Sequence, residues 1–359
     1  MRILFALSGF HRVDRGAETA LLALAEELAA TGDEVLVVGS GQERPGTAYR
    51  FAHVPARSRE RFEGWPKLPA LRNEMAYEDA TFAYNLRRAP LPDAFDLTVT
   101  CGFPWTNWAL RHRYRNVPHV FVTENGHWPA VNDKSEYRYF DCDGLVCTNP
   151  QYLAETKDRW NAVLIPNGVP KRRFGPGEGI REELGIPTDK PIVLMVSAFM
   201  GTKRVLDGMR AVAKTKDAFL LVAGDGPLRE DGDRLAAEIL PGRFRRLTLP
   251  ADRMPDLYRS ADVFLHMSKV ESFGNVYVEA ATTGLPVVAH DCELTRWILG
   301  DEEFLCNTDN PDATAAAIER AIAAGPQVPS LHLETFTWPS IAKDYRAFFQ
   351  RVASACHTD

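Results

Sequence analysis

Short apolar runs alternate with amphipathic segments from one end of the chain to the other. A short apolar run bounded by turn residues is typical of a buried parallel strand. Apolar residues that recur about every 3.6 positions are typical of a helix. This alternation predicts an α/β fold in which the sheets are mostly parallel.

The first half of the chain shows the alternation at both of its ends and loses it in between. A strongly periodic segment predicts a helix over 16–30 that stops at Gly32, and a second helix is predicted near 71–87. Between residues 40 and 92 the pattern weakens and prolines are frequent, which indicates an irregular surface region. Strands are predicted at 2–7, 34–38, 96–100, 119–123, 144–147 and 162–165.

A stretch rich in glycine, proline and charge over 171–190 is predicted to be a linker. A chain of 359 residues suggests two domains, each able to bury a core. We expect a first domain over 1–168, a second over 169–335 and a terminal helical segment over 336–359. After the linker, strands are predicted at 192–196, 218–223, 246–249, 262–266, 286–289 and 303–306, with helices at 313–324 and 338–352.

Composition and charge argue against several classes of function. The net charge is -6, and no basic tail or stripe indicates a nucleic-acid partner. Six cysteines show neither metal-site spacing nor a dense disulfide framework, so reduced thiols in a cytoplasmic protein are expected. Residues 1–7 are too short for a signal peptide, and no run of about 18 apolar residues predicts a membrane-spanning helix.

The most informative segment, 260–289, holds two glutamates eight positions apart, Glu271 and Glu279. A buried strand is followed by a polar loop with Glu271 and then by a helix. Asn275 is the predicted N-cap of this helix, and Gly284 is predicted to end it. Glu271 is then expected in the loop and Glu279 in the first helical turn.

This arrangement predicts a ligand class. Loops at the carboxyl ends of parallel strands are where open α/β sheets bind ligands, and a helix N-terminus there offers N–H groups to an anion. Carboxylates on the loop and on the helix suit hydroxyl groups on either side of that anion. A nucleotide sugar has this layout of sugar, diphosphate and ribose.

The glutamate pair, with Ser272, Phe273 and Gly274 after the first glutamate, resembles the signature of the retaining glycosyltransferases of family 4 (glycosyl transferases group 1). The resemblance implies the GT-B architecture, with two Rossmann-like domains whose mostly parallel sheets face each other across a cleft. It also implies that the terminal helix, here within 336–359, crosses back to the first domain. It implies that Glu271 contacts the hydroxyls of the transferred sugar and that Glu279 binds the donor ribose.

The same resemblance implies a role for the backbone amides that follow Glu271. Amides of Phe273, Gly274 and Asn275, next to Ser272, are expected to contact the sugar and the diphosphate. Because two glutamates at this spacing also occur by chance in helical proteins, the Phe-Gly step and the preceding strand carry most of the argument.

The diphosphate is expected on the loop after the first strand of the second domain. Many family members carry an arginine and a lysine there; Lys203 matches the lysine, and Ala198 stands at the arginine position. Arg204 is a candidate to compensate, although adjacent helical residues point about 100° apart. A solvated helix start is the alternative interpretation of Lys203 and Arg204.

A second loop of this domain is similar to the family loop near the donor base. It contains Gly224, Asp225 and Gly226 between a buried strand and a helix. A turn without a ligand has the same composition, because glycine and aspartate favour turns.

The first domain is expected to supply the acceptor side. Gly16, at the start of the first helix, would let a phosphate or acceptor approach the backbone, although the family's frequent Gly-Gly pair is Arg15-Gly16 here. The family also places a histidine soon after the fourth predicted strand. His127 is the candidate, with Glu124 and Asn125 as competitors.

These features predict a retaining transfer of a sugar from a nucleotide sugar to a hydroxyl of a glycan, glycolipid or natural product. Glu271, His127 and Lys203 are the predicted catalytic residues. No Asp-x-Asp clearly placed for a metal stands out, so neither a metal nor a cofactor is expected. The alternatives are a nucleotide-sugar epimerase on the same fold and a non-catalytic nucleotide-sugar-binding protein.

The sequence does not identify the acceptor. Acceptor sites in the family lie on variable loops of the first domain, here 40–92 and 123–139. Arginines and a tryptophan within 57–65 suit either an anionic acceptor or peripheral contact with anionic lipid, and a solvated loop is the simpler alternative.

Overall fold

The computed structural model describes residues 1–133, 135–300, 303–328 and 331–355. By its internal contacts the chain divides into two compact units. One comprises Met1–Gly168 with the segment that starts at Trp338, and the other comprises Val169–Thr337. Each unit contains a parallel sheet packed with helices, which confirms the predicted α/β fold with two parallel sheets.

The first unit contains a sheet built from β1 (Arg2–Ala6), β2 (Glu34–Gly39), β3 (Arg50–His53), β4 (Leu97–Cys101), β5 (His119–Val122), β6 (Gly144–Cys147) and β7 (Ala162–Leu164). The strand order is β3-β2-β1-β4-β5-β6-β7, and neighbouring strands are parallel. Helices between the strands are α1 (Gly16–Ala30), α2 (Glu74–Leu86), α3 (Pro104–Arg113), α4 (Trp128–Val131) and α5 (Pro150–Thr156).

The second unit contains β8 (Ile192–Val196), β9 (Phe219–Ala223), β10 (Phe244–Leu247), β11 (Val263–His266), β12 (Val287–His290) and β13 (Leu305–Cys306). Their order is β10-β9-β8-β11-β12-β13, again with parallel neighbours. The helices are α6 (Lys171–Phe174), α7 (Arg181–Leu184), α8 (Val205–Ala213), α9 (Arg229–Ile239), α10 (Met254–Arg259), α11 (Asn275–Thr283), α12 (Glu293–Leu299) and α13 (Pro311–Ala324).

The central strands are apolar on both faces because helices cover both sides of each sheet. Side chains alternate across a strand, so Ile3 and Phe5 enter one core of the first unit while Leu4 and Ala6 enter another. In the second unit the neighbouring side chains of Leu194 and Met195 are likewise buried in two different cores. Such strands read as continuous hydrophobic runs, which is why the sequence pattern locates them well.

The terminal helix α14 (Trp338–Ala355) belongs to the first unit. Its apolar side chains Tyr345, Phe348 and Phe349 are buried in the core that also contains Phe5. The Phe5 and Phe349 ring centroids lie 6.5 Å apart. A helix from the end of the sequence therefore completes the core that begins with β1.

The predicted linker over 171–190 is wrong. This stretch contains α6 and α7, and Phe174, Leu184 and Ile186 are buried in a core of the second unit. Its helices are only single turns, so they leave too short a periodic pattern to be recognised in the sequence.

Two edge strands also differ from prediction. β3 (Arg50–His53) pairs with β2 inside the region expected to be irregular, and its residues are only partly buried or exposed. β10 begins at Phe244 rather than at residue 246, because Phe244 is in register with Leu220 of β9. Strands at a sheet edge have weaker hydrophobic patterns, so their positions are harder to derive from sequence.

The second predicted helix starts later than expected. Asn73 caps α2 by accepting a hydrogen bond from the Ala76 N–H at 2.9 Å, so the helix begins at Glu74 and not near residue 71. Cap residues of this kind satisfy N–H groups that have no partner inside the helix.

Candidate functional site

The candidate site of the second unit lies at the carboxyl ends of β8, β9 and β11. β8 pairs with β9 on one side and with β11 on the other, so the strand order reverses at β8. The loops after the three strands diverge at such a point and leave a crevice for a ligand. They carry Lys203, Asp225 and Glu271, which the sequence predicted as site residues.

Glu271 is held by two basic side chains. Nε2 of the buried His266, the last residue of β11, lies 2.9 Å from Glu271 Oε1, and Lys203 Nζ lies 2.5 Å from the same oxygen. Within the described residues, the hydrogen bonds to this carboxylate go to Oε1. Oε2 accepts neither of these two hydrogen bonds.

The charge of Glu271 follows from these contacts. Burial favours the neutral form, but the hydrogen bonds and charges of His266 and Lys203 outweigh it and lower the pKa of Glu271 to about 2. The carboxyl is ionised at neutral pH and can only accept hydrogen bonds. His266 must therefore carry a proton on Nε2, because that nitrogen faces an acceptor.

The N-terminus of α11 has no side-chain cap. Gly274 occupies the N-cap position with φ of 87°, and the helix begins at Asn275 itself, one residue before the predicted start. A Cβ at Gly274 would lie 2.6 Å from the Tyr277 ring, so only glycine fits. An uncapped helix start of this kind presents N–H donors suited to an anion.

Phe273 anchors this loop through its ring. Phe273 is 2% exposed, and its ring packs edge-on against Trp297 and Phe336, with centroids 6.0 and 5.5 Å away. The predicted contact of its backbone amide with the donor stays a prediction. Ser272 and Asn275 are partly buried on either side of the Phe-Gly step.

Glu279 lies in the second turn of α11, not in the first turn as expected, because the helix begins at Asn275. The Tyr258 hydroxyl donates a hydrogen bond to Glu279 Oε2 at 2.7 Å. Burial raises the pKa of Glu279 more than this hydrogen bond and the charge of Arg173 lower it. A ligand hydroxyl that donates to Glu279 would favour its charged form.

Lys203 and Arg204 diverge. Arg204 has φ of 53°, between a 3-10 turn at Gly201–Lys203 and α8. Its guanidinium donates to Asp207 Oδ2 at 2.9 Å and to Thr308 Oγ1 at 3.1 Å. Arg204 therefore ties the loop to the chain after β13, while Lys203 contacts Glu271. These contacts do not support the idea that Arg204 takes over the phosphate contact of the family arginine, whose position is Ala198 here.

The glycine loop after β9 packs closely against the loop after β8. A Cβ at Gly224 would lie 2.0 Å from the Ser197 carbonyl oxygen, and one at Gly226 would lie 2.7 Å from that of Phe199. Asp225 is exposed between them and accepts from the Gly226 N–H at 2.8 Å. Close approach of two backbones thus explains both glycines without a ligand.

In the first unit, Gly16 opens α1 and is exposed, with open space where a Cβ would stand. Glu18 follows in the same turn, with its carboxyl directly over Gly9, where a Cβ would lie 1.9 Å from Oε1. The Glu18 side chain is 6% exposed, and the nearest ion-pair partner, Arg15 Nη1, is 4.0 Å away. Burial is the main cause that raises the pKa of Glu18.

A second buried carboxylate reaches the loop after β1 from α2. Glu78 accepts hydrogen bonds from Ser8 Oγ and from the Arg59 N–H, both at 3.0 Å, and its Oε2 lies 2.6 Å from Arg12 Nη2. The loop that carries the predicted acceptor glycine is thus lined by two carboxylates and by basic side chains.

Glu124 and Asn125 lie in a 3-10 turn directly after β5. Glu124 Oε2 accepts from Asn167 Nδ2 at 3.0 Å. Burial raises the pKa of Glu124 to about 8, with a smaller upward contribution from the charge of Glu18 and a downward one from the Asn167 hydrogen bond. Asn125 is exposed beside Gly102, which follows β4.

His127 contacts two side chains of α5. Its ring stacks on Tyr152 with centroids 4.1 Å apart, and its Nε2 lies 2.5 Å from Glu155 Oε2 on α5. The prediction that His127 is catalytic stays a prediction, with Glu124 and Asn125 as its competitors. Of the three residues, Glu124 has the raised pKa that is frequent in active sites.

The described ranges lack two further features. No group of three or more His, Cys, Asp or Glu side chains there could hold a metal ion. No helix in the same ranges is long and apolar enough to cross a membrane.

Sequence reasoning missed His266, Tyr258, Glu18 and Glu78. His266 ends a strand five residues before Glu271, which is a usable signal, because strand ends and the loops after them meet at one edge of the sheet. Tyr258 and Glu78 leave no comparable signal, since their partners are 21 and 70 residues away in the chain.

Family models match both units. The model described as glycosyl transferases group 1 matches residues 178–330, and the model described as glycosyltransferase family 4 matches residues 15–173.

Curated relatives are similar to parts of the chain. The lipopolysaccharide core biosynthesis glycosyltransferase LpsE of Rhizobium meliloti is 31% identical over 196 residues, which cover 53% of this chain and 56% of the relative. The GDP-mannose-dependent alpha-(1-6)-phosphatidylinositol dimannoside mannosyltransferase of Mycobacterium tuberculosis is 31% identical over 214 residues. These residues cover 56% of this chain and 55% of the relative. The chain spans about half the length of the curated relatives it matches.

Solved structures share the fold over the full length. Sucrose-phosphate synthase from Thermosynechococcus elongatus has a TM-score of 0.80 at 21% identity, over 99% of both chains. Anabaena HepE in complex with UDP-glucose has a TM-score of 0.71 at 17% identity, over 100% of both chains. With family models that match both of its units, the chain belongs to the family 4 glycosyltransferases, the glycosyl transferases of group 1, and has their GT-B fold.

Proposed function

We propose that the protein transfers a sugar from a nucleoside diphosphate sugar to an acceptor hydroxyl, with retention of configuration at the anomeric carbon. One observation carries the proposal. Glu271 is an ionised carboxylate whose Oε1 is held by Lys203 and His266, and its second oxygen, Oε2, would accept a hydrogen bond from a sugar hydroxyl.

The donor diphosphate is assigned to Lys203 and to the start of α11. The Lys203 ammonium has three N–H donors, and the hydrogen bond to Glu271 uses one of them. The remaining donors and the N–H groups after Gly274 would stabilise the negative charge that develops on the leaving diphosphate. Glu279 would accept hydrogen bonds from the ribose hydroxyls in competition with Tyr258.

The acceptor is assigned to the first unit. Glu18, two residues after the exposed Gly16, and Glu78, which contacts the loop after β1, are buried carboxylates, and carboxylates suit the hydroxyls of a glycan, glycolipid or natural product. Glu124 is a further candidate to receive the proton of the attacking hydroxyl, because its raised pKa of about 8 makes it a stronger base than an ordinary carboxylate.

Relatives support a nucleotide-sugar donor. The mycobacterial relative is described as GDP-mannose-dependent, and the Anabaena structure contains UDP-glucose. Since these two proteins differ in both base and sugar, they support the donor class and leave the individual donor to experiment.

A thermal-shift screen of UDP, GDP, ADP and dTDP sugars tests donor binding. A ligand that binds only the folded state raises the melting temperature. At a ligand concentration of 100 times Kd it increases the free energy of unfolding by about 2.7 kcal/mol. One nucleotide class should stabilise the wild type, and Glu279→Ala should weaken its binding in calorimetry. Absence of stabilisation by all four classes would contradict the proposal.

Product analysis with the bound donor separates transfer from its alternatives. A transferase releases the nucleoside diphosphate and forms a glycoside with a suitable acceptor. An epimerase converts the sugar of the donor without any acceptor, and a non-catalytic binding protein leaves the donor intact with every acceptor. The configuration of the glycoside, read by NMR, decides between retention and inversion.

A further inference from the structure

An apolar surface is exposed within the first unit. Trp65, Leu68 and Met75 are 49%, 47% and 43% exposed, and they lie within one stretch of chain. The other large hydrophobic side chains exposed in the described residues are spread singly along the sequence. We call these three residues, together with Arg57, Arg61 and Lys67, the Trp65 surface.

This exposure is built into the fold. The Trp65 ring packs edge-on against the buried Phe62 and against Tyr77 of α2, with centroids 5.1 and 5.4 Å away. The Tyr77 hydroxyl donates to the Pro66 carbonyl at 2.7 Å, so the chain after Trp65 is tied to the same helix. The indole is thus held in place with half of its surface outward.

The charge of the surface is opposite to that of the chain. Residues 57–75, which span the Trp65 surface, contain five basic and three acidic side chains, a net charge of +2 in a chain of net charge -6. Arg57, Arg61 and Lys67 are exposed, and within the described residues their side chains make no ion pair. Arg59 and Arg72, in contrast, pair with Glu60 and Glu136.

We propose that the Trp65 surface docks the protein onto an anionic lipid bilayer. Tryptophan favours the boundary between headgroups and acyl chains, and leucine and methionine gain by leaving water. Each nearby lysine or arginine strengthens binding roughly fivefold on a membrane that carries anionic lipid. The inference goes beyond the proposed transfer and does not depend on it, because docking requires neither donor nor acceptor.

Vesicle flotation without any nucleotide sugar tests the proposal. The wild type should float with vesicles of phosphatidylcholine and phosphatidylglycerol at roughly 3:1, and should float much less with phosphatidylcholine alone. About 0.5 M salt should reduce binding to the anionic vesicles, because it screens exposed charges. A wild type that stays unbound at low salt would overturn the proposal.

Two variants separate the apolar and the charged contributions. Trp65→Ser with Leu68→Ser should lower binding at least about tenfold. Arg57→Gln with Arg61→Gln and Lys67→Gln should lower binding to anionic vesicles about 100-fold. Trp108→Ser is the matched control, since Trp108 is 38% exposed on α3 and should leave binding unchanged.

The outcomes are distinguishable. If the serine double variant loses its cooperative melting transition, it no longer tests the surface. The glutamine variant, which alters only exposed side chains, then decides whether the Trp65 surface binds the vesicles. Equal binding of both variants and the wild type would overturn the proposal. So would a wild-type dimer, seen by analytical ultracentrifugation, that the serine variant abolishes, because the surface would then bind a second copy of the chain.

Discussion

At the scale of single residues, Glu271 combines two roles that can be separated by mutation. Its Oε1 holds Lys203 and His266 in place, and its Oε2 is proposed to orient the donor sugar. Glutamine keeps the size and leaves one carbonyl oxygen to accept from Lys203 and His266. Its NH2 group replaces the second oxygen and cannot accept from a sugar hydroxyl, so the variant tests mainly the second role.

We expect Glu271→Gln to lower kcat/KM roughly 10- to 150-fold, because a hydrogen bond to a charged group contributes about 1.5–3 kcal/mol. The melting temperature should change by only a few degrees. Steady-state kinetics and calorimetry are the measurements. Glu238→Gln, which changes the net charge equally at an exposed position on α9, is the control. Unfolding of the Glu271 variant would make Glu271 a structural residue instead.

Glu124 gives a prediction about pH. Its pKa is about 8 in the folded state, well above the ordinary value, so folding favours its protonated form. The contribution of this group to stability is fully present below about pH 4 and is lost as the pH rises through 8.

The variant Glu124→Gln keeps a neutral side chain at every pH. It should therefore be more stable than the wild type at pH 8.5, and the difference should shrink towards pH 5. Urea unfolding at several pH values measures this. A difference that does not depend on pH would show that the folded-state pKa is close to the ordinary value.

At the scale of elements, the start of α11 depends on one glycine. Gly274 has φ of 87°, and a Cβ there would meet the Tyr277 ring at 2.6 Å. Gly274→Ala should lower the free energy of unfolding by at least about 1–2 kcal/mol, because an L side chain is strained in this region. It should also weaken donor binding, since the helix start must move.

Gly16→Ala is the matched control for stability, because Gly16 also lies at a helix start, as the first residue of α1, but has open space around the Cβ position. Alanine favours a helix more than glycine does, so this variant should be as stable as the wild type or slightly more so. Urea unfolding of the two variants side by side checks the prediction, and equal stability would contradict it.

At the scale of the whole molecule, we expect transfer to be independent of a divalent metal. The positive charge that the proposal requires comes from Lys203 and the N-terminus of α11 rather than from a bound ion. Activity should survive EDTA with little change. Loss of activity in EDTA and its recovery with Mg²⁺ or Mn²⁺ would contradict this, whereas loss without recovery would indicate damage to the protein.

Most of the fold could be predicted from sequence, for a physical reason. Central parallel strands are covered on both faces, so β1, β6 and β8 leave continuous apolar runs, and α1 begins and ends where its periodicity and Gly32 indicate. The edge strands β3 and β10 were missed or displaced because partial burial leaves a weaker pattern.

The candidate site, too, could be predicted only in part from the sequence. The sequence by itself determined the strand–loop–helix segment around Glu271, because its residues are neighbours in the chain. Only the tertiary structure decided which side chains meet. It places Lys203 on Glu271, Tyr258 on Glu279, and Arg204 on Thr308. These partners lie 68, 21 and 104 residues apart, and contacts at such separations depend on the packing of the whole unit.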